Sequence, residues 1–219
     1  MNIHLGVGRE VGGNVMTRSF AVALSGIVVL LSVVSAAAQA PATVRVRGTI
    51  ESVDGSTLAV KSRDGAALTV KLADNVAVRT LVKSTIADVK QGGFVGITAV
   101  PQPDGTQKAV EIHIFPEAMR GTGEGHRPWD LMPNSTMTNA TVDSEVAVSD
   151  GQKLVLKYKD GEKTFIVPAD AAVVTFVPTT TADVKPGERI FIPAATKQPD
   201  GTLSAAAVTV SRNGVNPPM

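Results

Sequence analysis

The residues best able to do chemistry are gathered in one short stretch, "PEAMRGTGEGHRPWDL", from Pro116 to Leu131. It holds the chain's single tryptophan, Trp129, with Arg120, Glu124, His126, Arg127 and Asp130 close by. Histidine with carboxylates can hold zinc or another divalent ion, so Glu124, His126 and Asp130 form a candidate metal set, although their spacing follows no known ligand motif. Tryptophan and arginine dominate binding hot spots, so Arg120, His126, Arg127 and Trp129 form a candidate rim for a ligand or protein partner. The run "GTGEG" has the glycines of a phosphate cradle. It is followed by His126-Arg127-Pro128 and not by the Lys and Ser/Thr of a P-loop, so it reads as a bend.

Other chemistries have less support. The chain has no cysteine, which excludes disulfides, thiolate ligands and cysteine nucleophiles. Neither G-x-S-x-G nor S-x-x-K occurs. The Asp-Gly pairs lack the alternating oxygens and terminal Glu of an EF-hand loop. His113, with Glu111 two residues before it, lies opposite Val110, Ile112 and Ile114 in an alternating segment, and is expected to face solvent. The reading is therefore non-enzymatic, and no cofactor is implied.

These residues sit in a globular composition, 43% hydrophobic and 19% charged, with aromatics at 4%, so the core must be built from Val, Ile, Leu and Ala. Phe20 to Val34 is an unbroken apolar and small-residue run preceded by Arg18 and followed by Ala38-Gln39-Ala40. At about 15 residues it is short for a spanning helix, and it reads as a signal peptide over residues 1–40, with translation starting at Met1 or Met16. The mature chain is expected to be periplasmic or secreted, with no membrane span. Without Arg9, Arg18 and Glu10 its acidic and basic residues balance, and the basic ones are scattered along the sequence, which argues against nucleic-acid binding.

A repeat organises the rest. Asp54-Gly55, Asp64-Gly65 and Asp104-Gly105 recur 96 residues later as Asp150-Gly151, Asp160-Gly161 and Asp200-Gly201, and "ADVK" and "QPDGT" occur in both halves. Asp-Gly suits tight hairpin turns, and the flanks alternate as strands do. Leu58 and Val60 face one side in the first half, and Leu154, Leu156 and Tyr158 do so in the second. Val95, Ile97 and Ala99 match Ile190, Ile192 and Ala194, while Val110, Ile112 and Ile114 match Ala206, Val208 and Val210. "STIADVK" is expected to form one helical turn capped by Ser84, and Thr179 to Val184 repeats it.

The expected fold is mostly β: two tandem small antiparallel barrels, OB-like or SH3-like, each of about six strands. The first spans residues 41–115 and the second 138–212. An ordered linker, 116–137, joins them, and a tail, 213–219, follows. The alternative is one continuous sandwich that shares strands between the halves. Pro116 to Met119 can start a helical turn, and Pro128 to Thr136 reads as loop.

The strings "GTIESVDGSTLAVKSRDG" and "GGFVGITAVPQPDGTQKAVEIHIFPEAMRGTGEGHRPWD" resemble the bacterial secreted family called domain of unknown function 5666, over essentially the whole mature chain. Members resembling this chain often carry the label "metal ABC transporter permease". The resemblance implies a periplasmic, mostly β protein and brings no activity with it. A permease needs several spanning helices, and beyond Ala40 no apolar run approaches that length.

Three roles stay open on the sequence. A binding module for a small ligand or an envelope protein requires an exposed Trp129 among ordered neighbours. A structural envelope protein requires a buried Trp129 and no pocket. A metal-binding accessory requires His126 to converge with Glu124, Asp130 or His113.

Overall fold

Alternating side chains determine most of the architecture. The computed structural model describes residues 42–149 and 151–215. The expected signal peptide, the translation start, Asp150 and the last four residues of the tail lie outside the described residues. Twelve strands occur among them: β1 (Thr43–Asp54), β2 (Thr57–Ser62), β3 (Ala67–Lys83), β4 (Phe94–Pro101), β5 (Gln107–Ile114), β6 (Gly125–Pro128), β7 (Thr136–Val148), β8 (Gly151–Tyr158), β9 (Gly161–Pro168), β10 (Ala172–Pro178), β11 (Arg189–Lys197) and β12 (Leu203–Val210). The helical content of the described residues is three single 3-10 turns, at Ile86–Asp88, Glu117–Met119 and Thr181–Asp183. None of these is long or apolar enough to cross a membrane.

Leu58, Val60, Leu154 and Leu156 point inward and are buried, as their alternation predicts. The repeated words fold alike. In both "QPDGT" turns the aspartate accepts from the threonine amide at 2.9 Å and from its hydroxyl at 2.7 Å, using Asp104 with Thr106 and Asp200 with Thr202. The "ADVK" words form the 3-10 turns at 86–88 and 181–183. Thr85, not Ser84, is the cap of the first. The Asp88 carboxylate accepts from the Ser84 hydroxyl and from the amide and hydroxyl of Thr85, which holds the turn closed.

Strand pairing joins the two halves. β1, β2 and β3 form an antiparallel meander from the first half. The β11–β12 hairpin from the second half lies antiparallel to β1 and parallel to β3, and the five strands close into a barrel. Its core mixes Val46, Ile50, Leu58 and Val70 with Ile190, Ile192, Ala205 and Val208. In the remaining strands, β4 pairs with both β5 and β7, β8 pairs with both β7 and β9, and β9 meets β5 in parallel at Gln107↔Phe165 and Lys108↔Ile166. β10 lies between β3 and β5 and makes the sheet continuous.

The expected domains, each closing upon its own half, are thus not what the pairings show. The cause is the length of β3. Its 17 residues pair with β12 from Val70 to Thr80, with a break between Leu72 and Ala77, and then with β10 from Arg79 to Lys83, so the chain leaves the first core at the far end of the strand. Val89, after the turn, is buried with Val95, Ile97 and Leu154. Val184, after the matching turn, is buried in the five-stranded barrel.

Two local expectations are corrected as well. In both halves a β-bulge shifts the inward position by one residue. Ala109 and Ala205 are buried where Val110 and Ala206 were expected, and on β11 Ala195 replaces Ala194. His113 is not solvent-facing. It is 7% exposed, because β5 is flanked by β4 and β10 and the Phe176 ring lies 5.4 Å from the imidazole. Its Nε2 lies 2.7 Å from Glu111 Oε1, close enough for an ion pair although no aligned hydrogen bond joins them.

The exchanged strands make a direct prediction. A fragment of residues 42–115 lacks β11 and β12 and leaves the edges of β1 and β3 bare. Alone it is expected to lack cooperative unfolding by circular dichroism, and mixing it with residues 116–215 is expected to restore that transition. A 42–115 fragment that is monomeric by sedimentation and unfolds cooperatively would contradict this account.

Candidate functional site

The linker is built from short, well-bonded pieces. Pro116 precedes the 3-10 turn at Glu117–Met119. Arg120 follows, with Nε donating to Glu117 Oε1 at 2.6 Å and Nη2 donating to Glu117 Oε2 at 2.8 Å and to the Gly92 carbonyl at 3.0 Å. Gly125–Pro128, expected as bend and loop, is strand β6, paired to β7 from Gly125↔Asn139 to Pro128↔Thr136. Glu124 Oε1 accepts from the Lys159 amide at 3.1 Å. His126 shares a 2.7 Å hydrogen bond between Nδ1 and Thr138 Oγ1, and its ring stacks on Tyr158 at 6.5 Å. Burial first, then the charges of Lys163 and Arg127, push the His126 pKa below the usual imidazole value. Beyond β6 a tight turn through Asn134 (φ 59°) lets the Ser135 hydroxyl donate to the Trp129 carbonyl at 3.0 Å, which fixes where the indole emerges.

Trp129 lies against the outer face of the barrel. The guanidinium of Arg45 sits 4.1 Å from the ring centroid, with Arg47 at 5.3 Å and Arg127 at 5.5 Å. Phe191 of β11 meets the indole edge-on at 6.4 Å and lies 5.0 Å from Arg47. Such cation–π contacts contribute about 0.5–1 kcal/mol each at exposed sites and more where desolvated. The residue after Trp129 completes the arrangement. Asp130 Oδ1 accepts from Arg45 Nη1 at 2.5 Å, Oδ2 accepts from Arg47 Nη1 at 2.6 Å, and the Asp130 carbonyl accepts from Arg63 Nη2 at 3.0 Å. One aspartate therefore binds arginines from β1 and from the turn after β2.

The strand pattern explains why these arginines meet. In "VRVRG", Val46 points into the barrel and Arg45 and Arg47 point out, opposite a bulge in β11 between Ile192 and Ala195. Arg47 is directly opposite Phe191, so both lie on one face. The Arg47 side chain is 6% exposed, and its Nε and Nη2 have no partner. Burial lowers its pKa despite the hydrogen bond and charge of Asp130, which act in the other direction. Burial also disfavours the charge on Asp130, but the bonds and charges of Arg47 and Arg45 outweigh it and hold that carboxyl below its ordinary value.

An open groove of about 780 Å³ borders this cluster, lined by Arg45, Arg47, Arg63, Asp130, Lys197 and Asp200 among others. A smaller cleft of about 290 Å³ shares Arg47 and Arg63 with it. Of the residues expected at a site, Trp129, Arg127 and Asp130 come together. Arg120 and His126 do not, since the first is held by Glu117 and the second by Thr138 and Tyr158. Glu124, His126 and Asp130 are each engaged separately, and among the described residues no three His, Cys, Asp or Glu side chains converge as metal ligands. Arg45, Arg47, Arg63 and Phe191 were missed. The "VRVR" alternation is the one signal for Arg45 and Arg47, and it looks like any solvated strand face; Arg63 and Phe191 carry none.

Two outcomes follow. The folded pKa of Asp130 lies below its unfolded value, so the clamp adds stability above about pH 4 and loses it as pH falls through the folded value. Emission from the single tryptophan should therefore shift on acidification in the wild type and stay flat over that range in Asp130→Asn, whereas equal responses would remove the clamp as the cause. Arg47→Met should leave stability unchanged or raise it by about 1 kcal/mol in urea unfolding, because an apolar side chain of similar length removes two buried, unpaired nitrogens. A loss above about 1 kcal/mol would show that the guanidinium is structural. Compared with family models, with curated proteins and with solved structures, the chain matches none.

Proposed function

We propose that this chain is a secreted periplasmic binding module, non-enzymatic, whose ligand or envelope partner seats in the groove where the linker crosses the five-stranded barrel. The observation that carries the reading is that Arg45 and Arg47, which line an open groove of about 780 Å³, pack on the half-buried ring of Trp129. Ordered aromatic and arginine side chains beside an open concavity are the usual makings of a hot spot. Arg47 keeps two buried nitrogens unpaired beside this groove, which disfavours folding and leaves donors for a ligand.

The fold supports the same reading. In the barrel β1, β2 and β3 run in order and β12 closes in parallel on β3, with β11 between β12 and β1. We take this as an OB-like barrel completed by exchanged strands, and the ring of β7, β8, β9, β5 and β4 as a second one. Barrels of this kind bind ligands on their outer strand faces and adjoining loops. The apolar run at residues 20–34 and the resemblance to the secreted family both favour export.

The test is native mass spectrometry of the full gene product purified from the periplasm, beside Arg45→Ala. The wild type is expected to carry an added mass that the variant loses. Bare sequence mass for both proteins, purified gently and at low salt, would favour a structural role.

A further inference from the structure

The smaller cleft has its own chemistry. Arg47, Lys61, Arg63 and Arg189 line it together with the hydroxyl residues Thr49 and Ser62, and no acidic residue lines it. The register explains the gathering. Thr49 is directly opposite Lys61 on β2 and Arg189 on β11, and the Arg63 amide donates to the Arg47 carbonyl one step along. Directly opposed residues share a face of the sheet, so three cations from neighbouring strands and Arg63 from the turn after β2 come together on one face. In the linear sequence they look scattered.

Four like charges this close repel one another unless something negative lies among them. Asp130 answers part of this, through Oδ2 to Arg47 and its carbonyl to Arg63, but it lines the larger groove and not the cleft. Arg47 is more than nine-tenths buried and keeps two N–H groups without a partner. Lys61, Arg63 and Arg189 are exposed. At about 290 Å³ the cleft lies at the lower limit of pockets that take drug-sized ligands, so its occupant is small.

We propose that this cleft binds a phosphate- or sulfate-type oxyanion, held by Arg47, Lys61, Arg63 and Arg189 with the hydroxyl of Thr49, since the Ser62 hydroxyl is already given to Asp64 and the Ala66 carbonyl. Arginine forks and hydroxyl donors match the oxygens of such an anion, and charge-assisted hydrogen bonds are the strong ones. The inference rests on the binding role proposed above and extends it to the adjoining cleft, which shares Arg47 and Arg63 with the larger groove. The anion is either free or the phosphodiester of a lipid headgroup.

Titration calorimetry of the full chain with inorganic phosphate tests it, at ionic strength held constant with chloride and up to about 10 mM phosphate, where a millimolar site fills. Saturable one-site binding is expected. The double variant Lys61→Gln, Arg189→Gln removes two exposed cations and is expected to bind roughly tenfold or more weakly with unchanged circular dichroism, while Lys153→Gln, on β8, binds like the wild type. Absence of saturable phosphate binding, or equal affinity in the double variant, overturns the site. Co-sedimentation with phosphatidylglycerol vesicles, competed by phosphate, assigns a lipid headgroup; phosphate binding without co-sedimentation assigns a free anion. If phosphate fails while the periplasmic protein still carries a mass that Arg45→Ala loses, the oxyanion assignment falls and the binding role stands.

Discussion

Every strand edge in a small sheet has to be paired, and here the edges left by one half of the chain are paired by the other. β3 is the hinge of this arrangement. Its N-terminal part pairs with β2, β12 runs parallel to it over most of its length, and its C-terminal part pairs with β10. Parallel pairing cannot be made by a tight hairpin; it needs a long connection. The chain between β3 and β12 supplies it by building the other strand set on the way. The barrel that carries the candidate site is therefore closed by the last strands of the chain, and the surface made by β1 and β11 exists only once both halves have folded.

The same constraint places the linker. Its route from β5 to β7 passes the exposed face of β1, and the Trp129-Asp130 pair engages that face with an aromatic surface and a carboxylate. The arrangement is held locally: the Ser135 hydroxyl fixes the Trp129 carbonyl, and Asp130 draws Arg45 and Arg47 into fixed positions. Arg47 is the exception to the tidy accounting. Buried guanidinium nitrogens without partners oppose folding, and burial presses its pKa downward. Arginine remains charged at any ordinary pH, so that cost is present in the folded chain at all times.

The sequence was informative wherever structure is local. Asp-Gly pairs marked hairpins, alternation named Leu58, Val60, Leu154 and Leu156 as core, and the shared "ADVK" and "QPDGT" words folded into matching turns. It was silent about which half each strand would pair with, because similar halves satisfy the same pattern whether strands stay home or are exchanged. His113 was misread for a related reason: alternation says which face a residue takes, not whether that face is covered. In the linker, Trp129, Arg127 and Asp130 were legible from residue type. Their partners Arg45, Arg47 and Phe191 are separated from them by 60 residues or more, and only the fold brings them together.

A net charge of only +1 over the whole sequence hides the consequence. Charges that balance over the sequence need not balance over a surface. Paired strands turn isolated basic residues into rows: Arg63 beside Arg47, then Lys61 and Arg189 on either side of Thr49. Neighbouring strands lie about 5 Å apart, so Arg63 and Arg47 are inside the screening length of roughly 8 Å at physiological ionic strength, and Lys61 and Arg189, two strand spacings or about 10 Å apart, both face an anion seated over Thr49 between them. The field at this face thus comes from register, and a one-residue slip of β1 against β2 would turn Arg47 inward and disperse it. Fold and electrostatics are coupled at this point: the pairing that closes the barrel is also what concentrates the positive charge.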